Sequence, residues 1–133
     1  MIITETKPFG IIKAQLSHGT ITLVSCNQCA RLCETGGKIG LEKMKKKLKK
    51  ENYSLYNEFL FSPVCNKSKS KKIITSTGDV ILVLACSAGV AAIKKLFENK
   101  KVIPALTTIG LGAFDADGNI FMVERLNETV EKY

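Results

Sequence analysis

The chain has 133 residues, 45% hydrophobic and 24% charged, with a net charge of +8, a composition that fits a single globular domain of residues 1–133 and excludes a disordered tail. Met1 to Ser17 does not join a basic start to a continuous apolar run, and the longest apolar stretch, Val80 to Ile93, is too short to span a bilayer. Neither secretion nor membrane insertion is expected, and the expected compartment is the cytoplasm.

Pro8 to Gln15 reads as a short leading helix with Phe9, Ile11, Ile12 and Leu16 as its apolar positions, ended by Ser17-His18-Gly19. His18 lies in that turn and is assigned no function. Thr20 to Ser25 is β-branched and short, a buried strand that delivers Cys26 at its end. A loop carrying the clustered cysteines follows, and Gly36-Gly37 breaks the chain before a basic amphipathic helix over Ile39 to Glu51, where Leu41, Met44 and Leu48 recur at helical spacing. Tyr53 to Phe61 interleaves aromatic and polar residues as a strand that ends near Pro63 and Cys65.

Asn66 to Ser76 reads as a short helix or a basic loop, and Thr77-Gly78-Asp79 as a turn into Val80 to Ala85, the continuous apolar run of a central parallel strand. That run ends on Cys86. Ser87 to Glu98 has the helical period through Val90, Ile93, Leu96 and Phe97, Val102 to Ala105 forms a further strand, and Asp117-Gly118 turns a terminal hairpin over Ala113 to Val123. Leu126 to Tyr133 reads as a closing helix. Alternating strands and helices predict an α/β fold: a three-layer, open, mainly parallel sheet with helices on both faces and a C-terminal β-hairpin. Such sheets bind ligands beyond the carboxyl ends of their strands, and Cys26, Cys65 and Cys86 are all expected on that edge.

The cysteines are the chemistry-bearing residues. In a reducing compartment an odd set of five argues against a disulfide framework and for metal or redox chemistry. Cys26-x2-Cys29-x3-Cys33 can hold adjacent corners of one iron-sulfur cluster, expected to be a 4Fe-4S centre, while Cys65 or Cys86 supplies the remaining bond. Four thiolates also suit zinc, although the chain has a single Cys-x2-Cys pair where zinc sites usually have two. A dithiol oxidoreductase built on Cys26 and Cys29 is a third reading, which leaves Cys33 and the later cysteines without a role. Five candidate ligands stand for four bonds. The backbone N–H groups around Gly36, Gly37, Ser87 and Gly89 are placed to support a cluster; none of these segments completes a nucleotide-binding fingerprint. No Ser-His-acid set or paired acidic motif offers a hydrolase, and no catalytic residue is assigned.

Lysines cluster on the Ile39 to Glu51 helix, with Lys43, Lys46, Lys47 and Lys50 as candidate docking residues for an acidic partner. Arginine is limited to Arg31 and Arg125, which argues against specific nucleic-acid recognition. A homo-oligomer is compatible with the sequence.

The segments Cys26-Asn-Gln-Cys29-Ala-Arg-Leu-Cys33-Glu-Thr-Gly36-Gly37, Val83-Leu-Ala-Cys86-Ser-Ala-Gly-Val90 and Pro104-Ala-Leu106 together resemble the cysteine-rich small subunit or C-terminal domain associated with methylenetetrahydrofolate reductase, in order and spacing over most of the chain. The resemblance implies an iron-sulfur protein of one-carbon metabolism that exchanges electrons with a flavin-bearing catalytic subunit, and it carries over all five cysteines as candidate ligands. The chain departs from the family pattern at Ser87 and Thr107, and turns into Phe114 to Val123 where the family continues with further cysteines. It is too short to hold both this domain and a folate-binding barrel, so the expected role is that of an electron-transfer or accessory subunit, more a non-catalytic redox component than an enzyme.

Overall fold

A computed structural model describes residues 1–16 and 19–126. Ser17, His18 and the helix expected over Leu126 to Tyr133, apart from Leu126 itself, lie outside the described residues.

Two sheets organise the chain. Strands β2 (Thr20–Cys26), β3 (Ser54–Phe61), β4 (Val80–Leu84) and β5 (Lys101–Pro104) form a four-stranded sheet in the order β3-β2-β4-β5, parallel throughout. The two central strands are the apolar runs read from the sequence. Every residue of β4 is buried, and so is all of β2 after Thr20, because helices cover both faces.

Side-chain alternation assigns those faces. The Ser25 hydroxyl donates to the Gly37 carbonyl at 3.0 Å, so Ile21, Leu23 and Ser25 face α3 (Gly37–Lys50). Helix α1 (Phe9–Gln15) shares that face, tied to the end of α3 by the Lys13–Glu51 ion pair at 3.4 Å. Thr22, Val24 and Cys26 point the other way, toward α4 (Lys67–Ile73) and α5 (Ser87–Leu96). A Cβ on Gly89 of α5 would stand 2.7 Å from Ala85 Cβ and 3.3 Å from Val64, so this helix lies close against the end of β4 and the segment after β3. The layers are therefore α1 and α3, the parallel sheet, then α4 and α5, which is the three-layer α/β arrangement expected.

Three features were not read from the sequence. Cys29–Leu32 is a short helix, α2, within the expected cysteine loop. Ile2–Thr6 is a strand, β1, and the predicted hairpin belongs to a longer strand, β6 (Leu106–Phe114), that returns as β7 (Ile120–Arg125). These three form a separate antiparallel sheet in the order β1-β6-β7. The Asp-Gly turn is present: Asp115 Oδ1 accepts the amides of Asp117 and Asn119 at 2.9 and 2.8 Å, and Gly118 takes φ +81°. The chain passes between the sheets at Ala105, whose amide bonds the Val83 carbonyl and whose carbonyl accepts the Lys7 amide, both at 2.9 Å.

Candidate metal site at the carboxyl edge

The strand order reverses between β2 and β4. From β2 the chain crosses through α3 to β3 on one side; from β4 it crosses through α5 to β5 on the other, over the opposite face. Adjacent parallel strands whose connections diverge leave a crevice at their carboxyl ends. Cys26 is the last residue of β2 and 6% exposed; Cys86 follows β4 and caps the start of α5. Cys65 follows β3, the neighbour of β2, and Cys29 opens α2 immediately beyond Cys26. The register sets Cys26 beside Phe61, and the Asn27 amide bonds the Phe61 carbonyl at 2.6 Å, so the ends of β2 and β3 stay together as the chains diverge.

Gly36 shows how tightly this edge is built. A Cβ there would stand 2.6 Å from Ala30 Cβ and 3.1 Å from the carbonyl oxygens of both Cys26 and Leu84, so the α2–α3 connection lies directly over the two central strand ends. Gly37 then takes φ +64°, a conformation that glycine enters without steric cost. The amides expected to support a ligand are only partly free. Gly36 donates to the Ala30 carbonyl at 2.9 Å and Ser87 to Thr108 Oγ1 at 2.9 Å. Gly37 and Gly89 lie in helical first turns, whose amides have no partner within the helix.

All five cysteines are free thiols, but they are not equivalent. Cys65 is the exposed member, yet its sulfur is desolvated enough that burial raises its pKa above the ordinary thiol value. The charges of Cys86, Cys26 and Cys29 raise it further, in that order, against a backbone hydrogen bond that lowers it. Cys65 therefore lies within electrostatic reach of three other thiols. Cys33 is not among them: its thiol donates to the Ile2 carbonyl of β1 at 3.6 Å. Among the described residues no three His, Cys, Asp or Glu side chains stand close enough together to hold a metal ion. Cys26 ends one strand of the parallel sheet and Cys65 and Cys86 follow its two neighbours, but the described thiols do not cluster into a ligand set.

The antiparallel sheet braces this edge through residues that the sequence does not mark. Thr4 and Thr35 hydroxyls lie 2.7 Å apart; Thr35 also donates to the Ala30 carbonyl at 3.2 Å, which makes Thr4 the donor between them. Thr108 accepts the Ser87 amide and lies 3.0 Å from the Ser87 hydroxyl. With the Cys33–Ile2 contact, these bonds tie β1 and β6 to the end of α2 and the starts of α3 and α5. Their sequence signal is weak, because single threonines in strands are ordinary.

The lysines expected from the sequence to dock a partner, Lys43, Lys46, Lys47 and Lys50, are all exposed on α3. Lys43 and Lys47 line a groove against the α2–α3 connection, which Lys46 and Lys50 do not. Among the described residues no helix is long and apolar enough to cross a membrane. Comparison of the chain with protein-family models, with curated proteins and with solved structures finds no match.

Proposed function

We propose that the carboxyl edge of the parallel sheet is a thiolate site for an iron-sulfur cluster of the 4Fe-4S kind, and that the chain serves as an electron-transfer or accessory subunit to a flavin-containing, methylenetetrahydrofolate reductase-like partner in the cytoplasm. The observation that supports it is the order of the sheet, in which Cys26 ends β2 and Cys65 and Cys86 follow its two neighbours β3 and β4, with Cys29 one turn of chain beyond Cys26. By their chemistry the donors suit the group, since soft thiolates favour iron-sulfur clusters, with zinc as the alternative metal, and the described side chains, no three of which stand at ligating separation, would have to close together on binding. When bound, the cluster would supply one-electron redox chemistry, while the chain sets its potential through burial and hydrogen bonds.

Cys26, Cys29, Cys65 and Cys86 are the four ligands in this reading, and Cys33 is the spare thiol engaged with β1. Ligation couples to local folding: it would draw the segment around Cys65 toward the strand ends. The dithiol reading is weaker, since a reactive thiol needs access and Cys26 is 6% exposed. Lys46 and Lys50, open to solvent on α3, provide a cationic surface for an acidic flavoprotein.

Anaerobic purification followed by iron, acid-labile sulfide and zinc analysis tests the metal. Iron and sulfide in equal amounts with an absorption band in the visible range are expected; a colourless protein with one tightly held zinc and no sulfide would replace the redox role by a structural one.

A further inference from the structure

A second crevice opens on the α3 side of the same edge. It is a groove of about 200 Å³ with Met44 and Leu84 in its floor and Lys43, Lys47 and Thr6 at its wall. Its apolar base reaches the buried end of β4, so the groove is continuous with the region where open parallel sheets take their ligands. Gly40 lets one wall lie close: a Cβ there would stand 2.5 Å from the Thr35 carbonyl oxygen, so the α2–α3 connection packs directly against the helix at this point.

The charges of the groove are unbalanced. Lys43 and Lys47 are one helical turn apart, an arrangement in which like charges repel. Lys45 on the same helix is neutralised by Glu58 at 2.7 Å and Glu42 at 3.4 Å, whereas neither Lys43 nor Lys47 has an ion pair among the described residues. Lys46 and Lys50 have the same spacing but face solvent, so only the first pair converges on a concave surface. The Thr6 hydroxyl makes no hydrogen bond among the described residues and is free to donate. Across the groove stands the carboxylate of Glu34, which is held at φ 60°, outside the range a side-chain-bearing residue prefers.

We propose that this groove binds a small organic dianion, a phosphate monoester or a dicarboxylate, through Lys43, Lys47 and Thr6, with Glu34 accepting a hydrogen bond from a hydroxyl or amine at the ligand's other end. Its volume lies below that of pockets for drug-sized molecules, so the ligand is small. The site does not depend on the thiolate reading, since its donors lie on α3 and β1 and include no cysteine.

Amide chemical-shift titration of the full chain with glycerol 3-phosphate, and separately with malate, against sodium chloride of matched ionic strength, tests it. Saturable shifts at Thr6, Lys43, Met44 and Lys47 are expected with one probe or both, and the stronger probe distinguishes a phosphoryl from a dicarboxylate site. Removing two charge-assisted contacts in Lys43→Ala/Lys47→Ala should weaken binding by roughly tenfold or more, while Lys46→Ala/Lys50→Ala should change it less than about twofold. Glu34→Gln should weaken binding of these hydroxyl-bearing probes relative to that of inorganic phosphate, which loses no contact and gains from the removed negative charge. Shifts that match the salt control, or that survive in Lys43→Ala/Lys47→Ala, overturn the proposal. Metal content measured on the same samples keeps this outcome separate from that of the thiolate site.

Discussion

Each cysteine is distinguished by what its sulfur meets. Cys65 lies within electrostatic reach of Cys86, Cys26 and Cys29, while Cys33 is turned to the Ile2 carbonyl. Cys33→Ser is therefore expected to retain full metal content, and serine at any of the other four to lose most of it, as read by iron, sulfide and zinc per chain. Equal loss in all five variants would reject this division. Backbone conformation offers a second test. Glu34 occupies the left-handed region just after α2, where the Thr35 and Gly36 amides return to the Ala30 carbonyl at 3.0 and 2.9 Å in a glycine-type helix ending. Glu34→Gly should raise stability by about 1 kcal/mol in chemical denaturation, since glycine adopts this conformation without a Cβ clash. Gly36→Ala should have the opposite effect: its Cβ would meet Ala30 and two strand-end carbonyls, a cost of about 1–3 kcal/mol for overpacking.

Among the elements, α3, β2 and β4 were legible because their signals are local. Helical spacing of Leu41, Met44 and Leu48 marks the buried stripe of α3, and continuous apolar runs mark strands covered on both faces. Helix α2 spans too few residues to display a period, and β1 pairs with a strand from the far end of the chain, so its stability is not a local property. Strand β6 was concealed by Gly110 and Gly112, which look like loop residues but lie where Met122 and Ile3 cross the strand. The turn before β4 is secured by polar contacts: Thr22 donates to Asn57 at 2.6 Å and accepts the Gly78 amide at 2.8 Å. Thr22→Val leaves that buried amide unpaired and should cost about 1–3 kcal/mol. Beside it, Asp79 accepts the Thr20 amide and hydroxyl at 2.9 and 3.2 Å, bonds that hold its carboxyl below its ordinary pKa of 3.8, with Lys100 assisting. Because the folded state favours the charged form, this contribution is present above the ordinary carboxylate pKa and is lost as pH falls through the lower folded value. Thermal melts from pH 5 to pH 2.5 should show a steeper acid loss for the native chain than for Asp79→Asn.

For the whole molecule, the two sheets divide the work. The parallel sheet carries the core and presents the cysteine edge, and the antiparallel sheet buttresses that edge, while among the described residues no strand pairs with the outer side of β7. Phe121 and Val123 leave apolar surface open on β7, at 47% and 60% exposure, beside Leu111 of β6 at 39%, next to a strand edge able to template further pairing. Val123→Lys should reduce self-association in light scattering without lowering the melting temperature. Binding that favours the folded state also stabilises it, so the loaded protein should melt above the metal-free one, with the difference diminished when Cys65 is replaced.

The number of thiols, the order of the main strands and helices, and the strands that Cys26, Cys65 and Cys86 follow can all be read from the chain alone, because they depend on hydrophobic period and turn chemistry within short windows. That Cys33 faces β1, that Thr4 and Thr108 brace the edge, and that Lys43 and Lys47 border a groove while Lys46 and Lys50 do not emerge once the elements pack together. Those outcomes depend on pairing and packing between residues far apart in the chain, and no local pattern of side chains encodes which distant surface a given residue will meet.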